Sequence, residues 1–419
     1  MGTGVDLSVV RSTPIDLATV GFPASAPITI GEVASQGWTR SDLPLPSVTL
    51  RRSALDHNVA RMAAYCAGAG VDLAPHGKTS MAPQLWARQL EAGAWGITAA
   101  TMGQARAMLG VGVPRVLLAS EPVDEVATAA LSDALADPSV TIACWVDSVD
   151  GVARLADGLR RHHAARPLDV FVEVGHEGGR TGARGPDAAL AVARAADAAD
   201  AVRPVGVAGY EGTLAQDRSP SALASVDAFL DTLRTVTMRC LEGGLLDGEV
   251  TVSAGGSLFF DRVVERLRDG WPAGAEVRVL LRAGCTVTHD DGLYARGSPF
   301  TDAPPDDRFR AAFEARGAVL SRPEPDVAVV GIGARDVPDD IEPAIAMATD
   351  EGTDLLGRCA VRRLMDQHAI CRVAPDLALG PGDVVRFGIS HPCRAFDRRR
   401  VFPVLDDDDR VVDAIATWF

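Results

Sequence analysis

One lysine, Lys78, stands among 41 basic residues, in "VDLAPHGKTSMAP" (71–83). A lysine amine condenses with an aldehyde to a Schiff base, which a permanently charged guanidinium cannot do. In a chain that otherwise uses arginine, this position calls for the amine rather than for a charge. Further reactive types occur in short glycine-rich stretches. Glu173 and Arg180 lie in "EVGHEGGRTG", Tyr210 and Glu211 in "GYEG", and Gly255, Gly256 and Ser257 in "SAGGS". Arg282, Cys285 and His289 follow in "LRAGCTVTHDDGLY", and His391 and Cys393 in "SHPC". Backbone N–H groups at glycines, next to a helix start, make an anion seat. Imidazole nitrogen and thiolate sulfur suit Zn²⁺, and in a strand residues i and i+2 share a face, so His391 and Cys393 could reach one ion. Two ligands alone leave a core histidine beside a free thiol as the other reading. Arg180 could equally form an ion pair with Glu173 or Glu177.

These residues need a scaffold that gathers them. Eight mostly apolar runs read as strands buried on both faces: 71–78, 96–100, 115–120, 140–147, 168–175, 204–212, 249–256 and 277–284. Segments of helical spacing separate them, several ending in glycine. The pattern predicts a (β/α)8 barrel, and the reactive residues then fall at the C-terminal ends of its strands, where barrels carry their sites. A doubly wound sheet is the rival, but no GxGxxG opens a helix after the first strand. Past residue 290 the runs "AVLSRPEPDVAVVGIGARDV", "AICRV", "GDVVRFGIS" and "RVVDAIATWF" indicate a mainly β domain. The expected organisation is an N-terminal segment, 1–45, joining that domain; a barrel over 46–290; and a C-terminal β domain over 291–419 carrying the metal ligands. With a Schiff-base lysine on the same barrel face, the phosphate suited to "SAGGS" is that of pyridoxal phosphate.

Bulk properties narrow the classes. The 419 residues are 47% hydrophobic and 23% charged, as in a globular protein with a large core. A net charge of −15 and no basic stripe speak against a nucleic-acid partner. The run Arg398–Arg400 reads as a solvated patch. No apolar stretch is long enough to span a bilayer, and the start lacks the charged and apolar regions of a signal peptide, so no membrane partner is expected. Seven scattered cysteines without a CxxC pair suit a reducing cytoplasm and free thiols.

The motifs "PHGKTS…QLEAGAWGITAATMGQA", "EVGHEGGRTG", "GYEG", "SAGGS" and "SHPC" resemble the fold type III pyridoxal phosphate enzymes with an alanine racemase-type barrel, and within them the D-serine dehydratase and D-threonine aldolase group. The resemblance runs from about residue 45 to the end. It implies that Lys78 bears the cofactor, that Arg180 and Tyr210 lie near it, that Gly255 and Gly256 with Ser257 hold its phosphate, and that His391 and Cys393 bind zinc. It also implies a D-amino acid substrate and a homodimer in which one chain's β domain lies near the other's barrel. The expected reaction is zinc-assisted dehydration of a D-β-hydroxy amino acid such as D-serine to a keto acid and ammonia. Retro-aldol cleavage to glycine and an aldehyde is the main alternative; a metal-independent racemase and a non-catalytic carrier of the cofactor are the others. His76, His289 and His368 are further candidates near the site.

Overall fold

A computed structural model describes residues 4–23, 25 and 27–419. Eight parallel strands follow one another in the middle of the chain: Asp72–Leu73, Ile97–Ala99, Arg115–Leu118, Thr141–Val146, Leu168–Gly175, Val202–Gly209, Val250–Ala254 and Val277–Leu281. We call them the first to eighth barrel strands. The sheet runs in the order first, eighth, seventh and so on to the second. A parallel bridge between His76 and Thr98, with the Thr98 N–H donating to Pro75 O at 2.9 Å, joins its two ends. All eight expected runs contribute strands, and the closed sheet rules out the doubly wound alternative.

Sequence sets the helices between them. Thr101, Asp124, Ser148 and Ser219 each accept a backbone N–H at a helix start, satisfying one of the amides that a first turn leaves unpaired. Pro83, Pro186 and Pro220 open theirs, where a missing N–H costs nothing. The helix Arg52–Ala69 precedes the first strand and packs on the turn Cys285–Val287 after the eighth, Asn58 donating to Val287 O at 3.2 Å.

The second sheet is mainly antiparallel. Its long strand Phe313–Glu324 pairs with Val327–Val330, Val384–Gly388 and Ser47–Arg51. Beneath it Phe313, Phe396 and Phe402 pack edge to face, with centroids 4.7 to 5.6 Å apart. The strand Ser47–Arg51 corrects the expected boundary at residue 46. It pairs with Phe313–Arg316 and Val404–Leu405, so the barrel unit begins after Arg51, at the helix Arg52–Ala69. The N-terminal segment covers the last two strands: Val10, Ile15, Ile30 and Val33 pack with Val401, Leu405, Val411 and Ala414. The arginine run is also not simply solvated. Arg399 is buried and paired with Asp336 at 2.8 Å. Among the described residues no helix is long and apolar enough to cross a membrane.

Candidate active site

Lys78 sits on a single 3₁₀ turn, Gly77–Thr79, after the first barrel strand. The turn is locked from below. The buried Trp86 donates Nε1–H to Gly77 O at 3.3 Å, and a Cβ on Gly77 would come within 2.5 to 2.8 Å of Met108, Ile97 and Trp86. Only glycine fits there, so the backbone drops onto the barrel and the half-buried Lys78 is presented to a cavity of about 400 Å³ at the strand C-termini. Arg180, Tyr210, Gly256, Ser257, His391 and Cys393 line the same cavity. Gly255 does not line it; it lies behind, in a positive-φ conformation (φ 97°) that suits glycine.

The two glycines expected at the phosphate meet a side chain of the chain itself. The N–H of Gly255 donates to Glu211 Oε2 at 3.1 Å, and that of Gly256 donates to Glu211 Oε1. Glu211 is fully buried, so these two amides are already taken by a carboxyl group of the chain itself. Ser257 Oγ accepts from the Cys285 N–H at 3.1 Å and, among the described residues, donates to no partner. Arg180 lies with Cζ 4.5 Å from the centre of the Tyr210 ring, a cation–π contact rather than an ion pair with Glu173 or Glu177 among the described residues. Burial, and next the Glu211 carboxylate, push the Tyr210 phenol up to about 12. Arg282 is buried beneath, donating to Ser253 Oγ and Gly209 O, each at 2.6 Å.

The histidine–cysteine pair reaches the cavity by another geometry than a strand. The neighbouring strand ends at Gly388; His391 is the N-cap of the helix Pro392–Phe396, and Cys393 lies in its first turn. Proline at the first helical position carries the chain into the turn, which the alternation of "GISHPC" concealed. His391 Nδ1 meets Asp340 Oδ2 at 2.7 Å, which leaves Nε2 for an ion. Cys393 Sγ lies 3.4 Å from Cys285 Sγ and 3.5 Å from Thr79 Oγ1. The pair lines the cavity of its own barrel.

Other residues in the cavity were not singled out from sequence. Glu121, after the third strand, has carboxylate oxygens within 4.8 Å of those of Asp147 and Glu173. Burial, then Glu173, raise its pKa to about 9. Its place at a strand end was the available signal. Tyr294 and Asp340 carry no motif of their own. Among the histidines, His76 lines the cavity, and burial holds it well below its ordinary pKa, hence neutral. His289 faces a separate cavity with Asp290 and Asp291, and His368 is exposed on the β domain.

The cavity fits pyridoxal phosphate. It offers an amine, a hydroxyl, an arginine and a phenol, together with buried His76 Nδ1 and Arg282 Nε that have no partner among the described residues. A Cβ on Gly256 would crowd Tyr210 at 3.1 Å. The volume is in the range of cofactor pockets. The nitrogen and sulfur donors suit a borderline-soft ion such as zinc.

Comparison with known proteins agrees with this layout. Residues 50–254 match the alanine racemase N-terminal domain, and residues 312–405 match a putative serine dehydratase domain. A D-threonine aldolase of Arthrobacter sp is 26% identical over 364 residues, 85% of this chain and 88% of its own. The solved D-threonine aldolase from Filomicrobium marinum superposes with a TM-score of 0.75 at 23% identity, covering 91% of this chain and 97% of that one. The D-threo-3-hydroxyaspartate dehydratase of Delftia sp. (strain HT23) is 28% identical over 54% of this chain and 63% of its own length. Its solved structure has a TM-score of 0.72 at 21% identity, over 91% and 99% of the two chains. Two of its solved variants replace a histidine and a cysteine, two residues apart, by alanine, and the cysteine variant is described in a metal-free form.

Proposed function

We propose, on the premise that this chain is a fold type III pyridoxal phosphate enzyme, an alanine racemase-type barrel joined to a serine dehydratase-type domain, that it is a lyase removing water from a D-β-hydroxy amino acid such as D-serine. The observation that carries the reading is one cavity lined by Lys78, Arg180, Tyr210 and Ser257 from the barrel and by His391 and Cys393 from the β domain. When bound, the cofactor supplies an electron sink for charge at the substrate Cα.

The chain's own groups then divide the work. Lys78 bears the cofactor and its Nζ takes the proton from Cα. The Ser257 hydroxyl donates toward the phosphate, and Arg180 and Tyr210 orient the ring. His391, with Asp340 fixing its tautomer, and Cys393 would hold zinc, which would supply Lewis-acid polarisation of the β-hydroxyl. The matched lyases support catalysis over the carrier reading, and the D configuration of the substrate rests on their names.

A second reading, retro-aldol cleavage, is favoured by the D-threonine aldolase match across most of the chain. The holoenzyme, given D- and L-serine, threonine and 3-hydroxyaspartate with and without chelator, separates the two. Dehydration predicts keto acid and ammonia from D substrates and loss of activity with chelator. Glycine and aldehyde in their place would establish the aldolase. Lys78→Arg keeps the charge and is expected to lose both turnover and the visible cofactor absorbance near ~420 nm; residual turnover in that variant removes Lys78 from the mechanism.

A further inference from the structure

For the β-hydroxyl to depart as water its oxygen must gain a proton, and none of the groups assigned so far has that task. Lys78 serves Cα. Arg180 and Arg282 do not release protons. His76 is neutral and buried. Glu121 belongs to the carboxylate wall formed with Asp147 and Glu173 at the ends of the third to fifth strands. Tyr210 and Ser257 are assigned to the cofactor, and Tyr294 lines the cavity together with His391 and Cys393. It lies on the short helix Leu293–Gly297. The Cys285 sulfur, which lines the same cavity, is 3.4 Å from that of Cys393.

The phenol is held in place from behind. Asp290, 1% exposed, accepts on Oδ1 the N–H groups of Gly292 at 2.9 Å, Tyr294 at 2.9 Å and Ala295 at 3.3 Å. One buried carboxylate thus gathers the amides that open the Tyr294 helix and fixes the angle at which the ring enters the cavity. A proton donor must be held within hydrogen-bond reach of its target, and a phenol keeps its proton at neutral pH.

We propose that Tyr294 donates the proton to the departing β-hydroxyl and that Asp290 is its positioning residue. This rests on the lyase reading above and deepens it. The Cα–H bond breaks and its proton passes to Lys78 Nζ. The electron pair left behind forms the Cα–Cβ double bond. The Cβ–O bond breaks with its pair on oxygen, and that oxygen takes the Tyr294 proton and leaves as water. The phenolate is reprotonated by the proton that Lys78 gained, so the net change is loss of one water.

The test compares leaving groups. Chloride needs no proton to depart, so β-chloro-D-alanine bypasses a proton donor while requiring the same removal of the Cα proton. Wild type and Tyr294→Phe, both loaded with pyridoxal phosphate and zinc, are assayed for keto acid from D-serine and from β-chloro-D-alanine. The ratio of the two turnover numbers is expected to fall ~100-fold in the variant. Retained visible absorbance and melting temperature establish a folded, loaded protein. Asp290→Asn, which keeps the shape and removes the charge, is a second variant, expected to lower the same ratio about tenfold with KM unchanged. Equal losses on both substrates, or no loss on D-serine, would overturn the role of Tyr294 alone. A wild type that forms no keto acid from any D-β-hydroxy amino acid would overturn the dehydratase reading itself, and this role with it.

Discussion

Glu121 illustrates how the cavity controls charge at single residues. Burial and the neighbouring Glu173 oppose its ionisation, so its pKa rises from 4.5 to about 9. Between those values the folded chain binds a proton that the unfolded chain has released. The contribution is fully present below about 4.5 and is lost as pH rises toward about 9, so stability falls with pH across that window. Glu121→Gln removes the titration. Its melting temperature is expected to change less than that of the wild type between pH 5 and pH 9, and parallel curves would discount the shift. Lys78 was legible in the sequence because a lone lysine is a compositional anomaly. Glu121, Tyr294 and Asp340 were not, because Glu121 and Tyr294 owe their places to segments that follow barrel strands, Asp340 to a connection within the β domain, and none carries a spacing that marks it.

At the level of elements, the eight barrel strands could be read locally, since each is an apolar run buried on both faces. The strand Ser47–Arg51 could not. Its partners, Phe313–Arg316 and Val404–Leu405, lie far along the chain, and nothing local distinguishes it from the barrel that follows. The helix Pro392–Phe396 was hidden by alternation that suited a strand, although its proline marked a helix start. That helix makes the proposed ion site depend on an outside support. Asp340 comes from the segment between the strands Val327–Val330 and Ile345–Thr349 and orients the imbalanced half of the pair, the His391 ring. Asp340→Asn is expected to weaken zinc binding about 10- to 100-fold in a competition titration against a chromophoric chelator. Unchanged affinity would show that the ring is fixed by packing alone.

Across the whole molecule, the barrel buries one large apolar cluster, a second joins the β domain to Leu55, Leu85 and Val287 of the barrel unit, and the cavity lies where the two units meet. The β domain holds its shape partly through a buried ion pair. Arg399 donates to Asp336 Oδ1 at 2.8 Å and to Pro46 O at 3.0 Å, tying the approach to Ser47–Arg51 to the far end of the chain. Burial outweighs attraction at both partners, raising the Asp336 pKa and lowering that of Arg399. Such a pair adds little net stability, but a lone buried guanidinium is costly. Asp336→Ala is therefore expected to cost about 3–5 kcal/mol in chemical denaturation, whereas a loss below about 1 kcal/mol would mean that Arg399 finds water. The turn beneath Lys78 has a practical consequence as well. An endoprotease that cuts only after lysine has one peptide bond to attack, Lys78–Thr79, and the Trp86 indole clamps that bond's turn to the barrel wall. Scission into two fragments would therefore report how often this corner of the native molecule opens.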